Sequence, residues 1–106
     1  MKLAKYLENN VTHYSSTVRL AKQVTCNSGL TMSIQASEGH YCSPRKTLPY
    51  SNYTAFEIGF PSEKVELFMP YVEDENNPTD TVYTHVPINV IEEVISKHGG
   101  IKEEKE

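Results

Sequence analysis

From Leu30 to Ser37 apolar and small polar residues alternate without a break, with Leu30, Met32, Ile34 and Ala36 set against Thr31, Ser33, Gln35 and Ser37. A period of two is the pleat of a β-strand, and this stretch has no helical periodicity to compete with it. One face of the strand meets a core, and the other meets water or a ligand. The chain must therefore supply further strands and something to cover the apolar face. With 106 residues it does so as one domain, too small to hold two cores and small enough that self-association is expected.

Other elements follow from similar patterns. Leu3, Leu7, Val11, Tyr14, Val18 and Ala21 form a stripe at helical spacing, which predicts one long helix to about Thr25, weakened at Asn9, Asn10 and Thr12. Its apolar face exceeds what a small sheet can cover, so residues 1–25 are expected to be an oligomerisation helix ahead of an α/β body at 30–101. Asn27, Ser28 and Gly29 mark a turn. Residues Glu38 to Asn52 read as a long ordered loop, since loops of this length in small domains are functional or disordered and this one is rich in aromatics. Tyr53 to Phe60 is a second strand, with Phe56, Ile58 and Phe60 on one face and Ala55, Glu57 and Gly59 on the other. Ser62 is placed to cap a short helix carrying Val65, Phe68, Met69 and Val72, limited by Pro70. A third strand, Thr81 to Val86, is expected to turn Val82 and Val86 inward and Tyr83 and His85 outward. Pro87 then opens a helix with Ile88, Ile91, Val94 and Ile95, ended by Gly99 and Gly100 with Ile101 in contact. Residues 102–106 are a charged flexible tail. The fold class is α+β: a long N-terminal helix, a small mostly antiparallel sheet of about three or more strands, and a short middle helix and C-terminal helix packed on one face.

Composition excludes several functions. Apolar residues make up 38% and charged residues 23% of the chain, a globular balance. The net charge of −4 equals the contribution of Glu73, Asp74, Glu75 and Asp80 alone, so the rest is nearly neutral and lacks the basic field of a broad nucleic-acid binder. No apolar run approaches the roughly 20 residues that span a bilayer, and no leader-like segment opens the chain. A cytoplasmic protein without membrane partners is expected. Cys26 and Cys42 are too few for a disulfide framework and are taken as reduced thiols.

The densest cluster of reactive side chains is Glu38-Gly39-His40-Tyr41-Cys42-Ser43-Pro44-Arg45. Arg45 offers a planar fork for a phosphate, and Tyr41 a ring on which a base can stack. Equally, Arg45 can tie its own loop together through backbone carbonyls. Cys42 beside His40 suggests a nucleophile and base, but small buried thiols are common and the flanking residues match no cysteine enzyme. A metal site would have to gather Cys26, His40, Cys42 and one of His13, His85 or His98, and that spacing is unlike paired-Cys zinc motifs. There is no Gly-rich phosphate loop and no Ser nucleophile elbow, and the acidic loop lacks calcium-site spacing. No cofactor, resident metal or catalytic residue is expected.

The segments Ser33-Ile34-Gln35-Ala36-Ser37, His40 to Arg45, Glu57-Ile58-Gly59-Phe60-Pro61-Ser62, Thr81-Val82-Tyr83 and Val86-Pro87 resemble small proteins carried by phages and mobile elements of Gram-positive bacteria, over roughly Leu30 to Ile101. Within that group, a long helix ahead of a small α/β body is similar to the phage anti-Thoeris sponges. That resemblance implies a host-cytoplasmic, homo-oligomeric assembly of dimers. It would sequester cyclic ADP-ribose isomers or cyclic oligonucleotides without cleaving them, in pockets near subunit boundaries. On this reading Arg45 binds a phosphate, and Tyr41, Phe68 or Tyr83 stacks the base. Asn76 or Asn77 hydrogen-bonds polar edges, and His40 and His85 complete the ligand set. Two alternatives stand beside it. One is a protein-directed inhibitor of a defence nuclease or CRISPR effector that uses the acidic loop as a nucleic-acid mimic. The other is a thiol- or metal-dependent enzyme built on His40 and Cys42.

Overall fold

The computed structural model describes residues 2–102. Helix α1 (Lys2–Asn9) turns Leu3, Ala4 and Leu7 into the core and stops far short of Thr25. Asn10 ends it: its backbone N–H reaches Leu7 O at 3.1 Å, while its side-chain Nδ2 donates to Tyr6 O at 2.7 Å. The carbonyl that a continuing helix would bond through the backbone of residue 10 is thus taken by a side chain. Beyond it the β-branched Val11, Thr12, Thr17 and Val18 favour extended backbone. β1 (Val11–Tyr14) and β2 (Arg19–Ala21) pair as an antiparallel hairpin. Ser15 closes its turn, its N and Oγ both donating to Val18 O and its Oγ accepting from Val18 N. The long N-terminal helix is therefore corrected to one short helix and a hairpin. Its stripe divides accordingly, with Leu3, Leu7 and Ala21 buried and Tyr14 68% exposed.

A four-stranded antiparallel sheet follows, in the order β3 (Val24–Thr25), β4 (Thr31–Gln35), β5 (Ala55–Gly59), β6 (Val82–Pro87). On β4 the alternating face holds as expected, with Met32 and Ile34 fully buried. Its opposite face is closed at Gln35, whose amide accepts from Ala21 N and donates to Ala21 O, both at 2.9 Å. This side chain imitates a strand partner and seats the hairpin against the sheet.

Two face assignments are corrected. Phe60 turns outward at φ +50° and is 55% exposed. On β6 the inward residues are Tyr83 and Val86 rather than Val82 and Val86. Phe56 pairs with Val86 and Ile58 with Tyr83, so two steps on β5 face three on β6. The extra residue is a β-bulge around His85, at φ +51°, and it reverses the parity of the strand.

The middle helix is a 3₁₀ helix, Glu66–Tyr71, with Pro70 inside it. An α-helix there would set the proline ring against the Glu66 carbonyl, which the tighter, short 3₁₀ form avoids. Ser62 caps nothing and instead clasps Thr31, with N to O at 2.8 Å and Thr31 N to Ser62 Oγ at 3.0 Å. Helix α2 (Ile88–Lys97) buries Ile91, Val94 and Ile95 and ends at Gly99 and Gly100, both at positive φ, with Gly100 N on Ile95 O. The Asn27–Gly29 turn takes up the carbonyls that follow: Ser28 N bonds His98 O, and Asn27 Nδ2 bonds Gly99 O. A single core cluster runs from Leu3 to Ile95. Among the described residues no helix is long and apolar enough to cross a membrane. Of the expected tail, residues 103–106 lie outside the described residues.

Candidate functional site

The loop from Ser37 to Leu48 is an ordered strap between β4 and β5. Ser37, His40 and Cys42 are buried while Glu38, Tyr41, Pro44 and Arg45 are exposed, so that it has an inner and an outer side. On the inner side, Ser37 Oγ meets His40 Nδ1 at 2.6 Å, and Cys42 Sγ donates to Ser37 O at 3.3 Å and Pro44 O at 3.4 Å. All three are buried. Burial pushes the His40 imidazole down, with Arg19 and Arg45 adding to that effect against the opposing charge of Glu57. Burial likewise pushes the Cys42 thiol up, so the sulfur stays a thiol and not a thiolate. His40 and Cys42 are both turned inward, yet neither bonds the other: the imidazole meets the Ser37 hydroxyl and the thiol donates to the Ser37 and Pro44 carbonyls.

The outer side carries Tyr41 and Arg45. Tyr41 is 44% exposed, its N–H held by Glu57 Oε2 at 3.0 Å and its carbonyl accepting from His85 N at 3.0 Å. The β-bulge thus brings His85 to this loop. Its ring centroid lies 6.4 Å from that of Tyr41, and its Nδ1 lies 3.0 Å from Ser43 Oγ. Arg45 donates from Nε to Glu38 O at 3.1 Å and places its guanidinium carbon 5.0 Å from the Tyr41 ring centroid. Of the two sequence readings of Arg45, the loop staple is present. One nitrogen staples the loop, and no ion pair with a carboxylate of a described residue occupies the rest of the fork.

The hairpin meets both the strap and the residues that flank it. Gly39 N bonds Thr17 O at 2.8 Å, and a Cβ on Gly39 would lie 2.8 Å from Val18 Cγ2. Arg19, 7% exposed, reaches from β2 beneath the loop, where its guanidinium carbon sits 3.8 Å over the Tyr50 ring.

The remaining candidates lie elsewhere. Phe68 and Tyr83 pack tilted against each other in the core, with centroids 5.9 Å apart and no exposed surface, so neither ring offers a face to a ligand. Tyr83 hydroxyl donates to Pro78 O. Asn76 N and Asn77 Nδ2 both bond the Asp74 carboxylate, within a loop that starts beside Val82 at the far end of β6 from His85's bulge. Cys26 is bridged to Ile101, and among the described residues no three His, Cys, Asp or Glu side chains gather as metal ligands. A cavity of about 220 Å³ lined by Tyr6, Lys22, Thr25 and Lys102 includes none of the sequence candidates.

Sequence reasoning missed Arg19, Glu57 and Tyr53, and placed Ser43 in the dense cluster without giving it a role. Arg19 stood in what reads as a helix. Glu57 carried a signal, as the single carboxylate within the apolar strand Ala55–Gly59. No family model, curated protein or solved structure matches this chain.

Proposed function

We propose that the protein is a non-catalytic binding protein for a small anionic nucleotide, of the cyclic ADP-ribose or cyclic oligonucleotide class, taken up on the outer side of the Ser37–Leu48 strap. The observation that carries this reading is the pairing of an exposed Tyr41 ring with an Arg45 guanidinium that no carboxylate of a described residue neutralises. A base stacks on the ring, and the free edge of the fork takes a phosphate. His85, next to Tyr41, adds a ring nitrogen for a second polar contact. Phe68 and Tyr83 are left out of the contact set because both are enclosed, and Asn76 and Asn77 because their loop starts at the far end of β6 from the His85 bulge. Sequestration rather than turnover fits the inner side of the loop, where the one nearby thiol is protonated, buried and bonded to two carbonyls.

Isothermal titration with cyclic ADP-ribose isomers and cyclic oligonucleotides tests this, followed by chromatography of the recovered ligand. Binding with intact ligand is expected. Arg45→Ala should weaken it by about 2–3 kcal/mol and Arg45→Lys should restore only part, because Lys keeps the charge but not the planar fork. A wild type that binds none of these ligands refutes the reading. If it instead binds a nuclease through Glu73, Asp74, Glu75 and Asp80, the protein-directed alternative takes its place.

A further inference from the structure

Arg19 is a buried guanidinium with no carboxylate partner among the described residues, which is an expensive arrangement for a small domain. Its Nη2 donates to Ala36 O at 3.0 Å and to the Tyr53 hydroxyl at 3.3 Å, and its face lies on Tyr50. Its buried Nε and the Tyr50 hydroxyl find no hydrogen-bond partner among the described residues. As a stabilising device this is poor, since a neutral side chain of similar length would fill the same space without an orphaned donor. What it touches explains it better. Ala36 is the residue immediately before the strap. Tyr53 hydroxyl in turn donates to Lys46 O and accepts from Leu48 N at 2.8 Å, at the other end. One bonded chain, from Ala36 O through Nη2 and the phenol to Lys46 and Leu48, therefore closes the loop at both ends around Tyr41 and Arg45.

We infer that Arg19 is a positioning residue that preorganises the Tyr41–Arg45 strap for an anion and contributes positive charge beneath it without touching the ligand. This rests on the reading of the strap as a nucleotide site. Two roles combine in one side chain. The fork fixes the loop, so that less conformational freedom is lost when a ligand binds. The charge makes the site selective for anions, and it is felt at His40 and Cys42 on the inner side, where Glu57 is the one opposing carboxylate and already holds Tyr41 N.

Arg19→Met removes fork and charge, and Arg19→Lys removes the fork alone. Amide hydrogen exchange should accelerate about a hundredfold at Leu48 and Tyr41 in both variants while Ile58 of β5 keeps its protection. Affinity for the cyclic ADP-ribose isomer that the wild type binds best should fall about tenfold in Arg19→Lys and further in Arg19→Met. Arg19→Lys should keep the salt dependence of binding, which Arg19→Met should flatten. Val24→Ala, a buried truncation on β3 away from the strap, supplies the control: it should lower stability with affinity unchanged. If Arg19→Met proves too unstable to purify, Arg19→Lys alone decides through exchange. Wild-type exchange at Leu48 and Tyr41 in the Arg19 variants, or an affinity loss no greater than in Val24→Ala, overturns the inference. A wild type that binds no nucleotide sinks the nucleotide reading instead, and exchange still decides whether Arg19 orders the loop.

Discussion

Gly39→Ala puts one methyl group where the hairpin and the strap meet. The added Cβ would stand 2.8 Å from Val18 Cγ2 and 3.3 Å from Thr17 O. The first distance is below any normal carbon contact, and Val18, β-branched and half-buried, has little rotamer freedom to retreat. The second is close to the carbonyl that Gly39 N already bonds. Hairpin tip and loop must separate, at an overpacking cost of about 1–3 kcal/mol. Against that, Ala restricts the unfolded chain and returns roughly 0.4–1 kcal/mol. The net loss is about 1–2 kcal/mol, which for a domain of this size lowers Tm by about 5–12 °C. Thermal unfolding followed by circular dichroism measures it. The decisive experiment is the double-mutant cycle with Val18→Ala, which deletes the clashing methyl. Gly39→Ala should be less harmful in that background, with a coupling of about 1 kcal/mol. An additive cycle, or an unchanged Tm in Gly39→Ala, would mean that hairpin and strap do not touch in this way.

Three further outcomes follow from the same geometry. His40 has its folded pKa held below the ordinary 6.5, so the unfolded chain takes up the proton first and stability should fall as pH drops below about 6.5. Urea unfolding at pH 7.5 and 5.5 should show that loss in the wild type and less of it in His40→Gln; equal losses of stability in the two proteins would rule out the buried neutral imidazole. Phe68→Ala should cost about 3–5 kcal/mol in chemical denaturation, because a fully enclosed ring leaves a cavity behind, whereas a surface stacking residue would cost almost nothing. Self-association, if it uses the N-terminal region, should depend on the exposed Val11, Tyr14 and Leu20 of the hairpin rather than on the buried Leu3 and Leu7, so Tyr14→Glu should reduce the scattering mass of the wild type. A wild type that is monomeric at all concentrations would end that expectation.

The residues of this chain determined, without tertiary help, those features in which one periodicity had no competitor. β4 was legible because strict alternation from Leu30 to Ala36 leaves a single way to hide four apolar side chains. The end of α2 was legible because paired glycines after Lys97 stop a helix and supply the positive φ values its cap requires. Glu38–Arg45 could be marked as the chemically dense part of a loop from Glu38 to Asn52, and Arg45 could be narrowed to phosphate fork or carbonyl staple. Tertiary structure decided the rest. The spacing of Leu3 to Ala21 is compatible with one helix face, and a side-chain amide at Asn10 together with the pairing of Val11–Tyr14 with Arg19–Ala21 broke it in two. The parity of β6 depended on a bulge of one residue, which no alternation in Thr81–Val86 announces, and that bulge enclosed Tyr83 while delivering His85 to Tyr41. Arg19 acquired its place only when the hairpin folded over the strap. A charged side chain carries no mark of burial in its own neighbourhood of sequence, because its partners Ala36, Tyr50 and Tyr53 are brought to it by the closing of the chain.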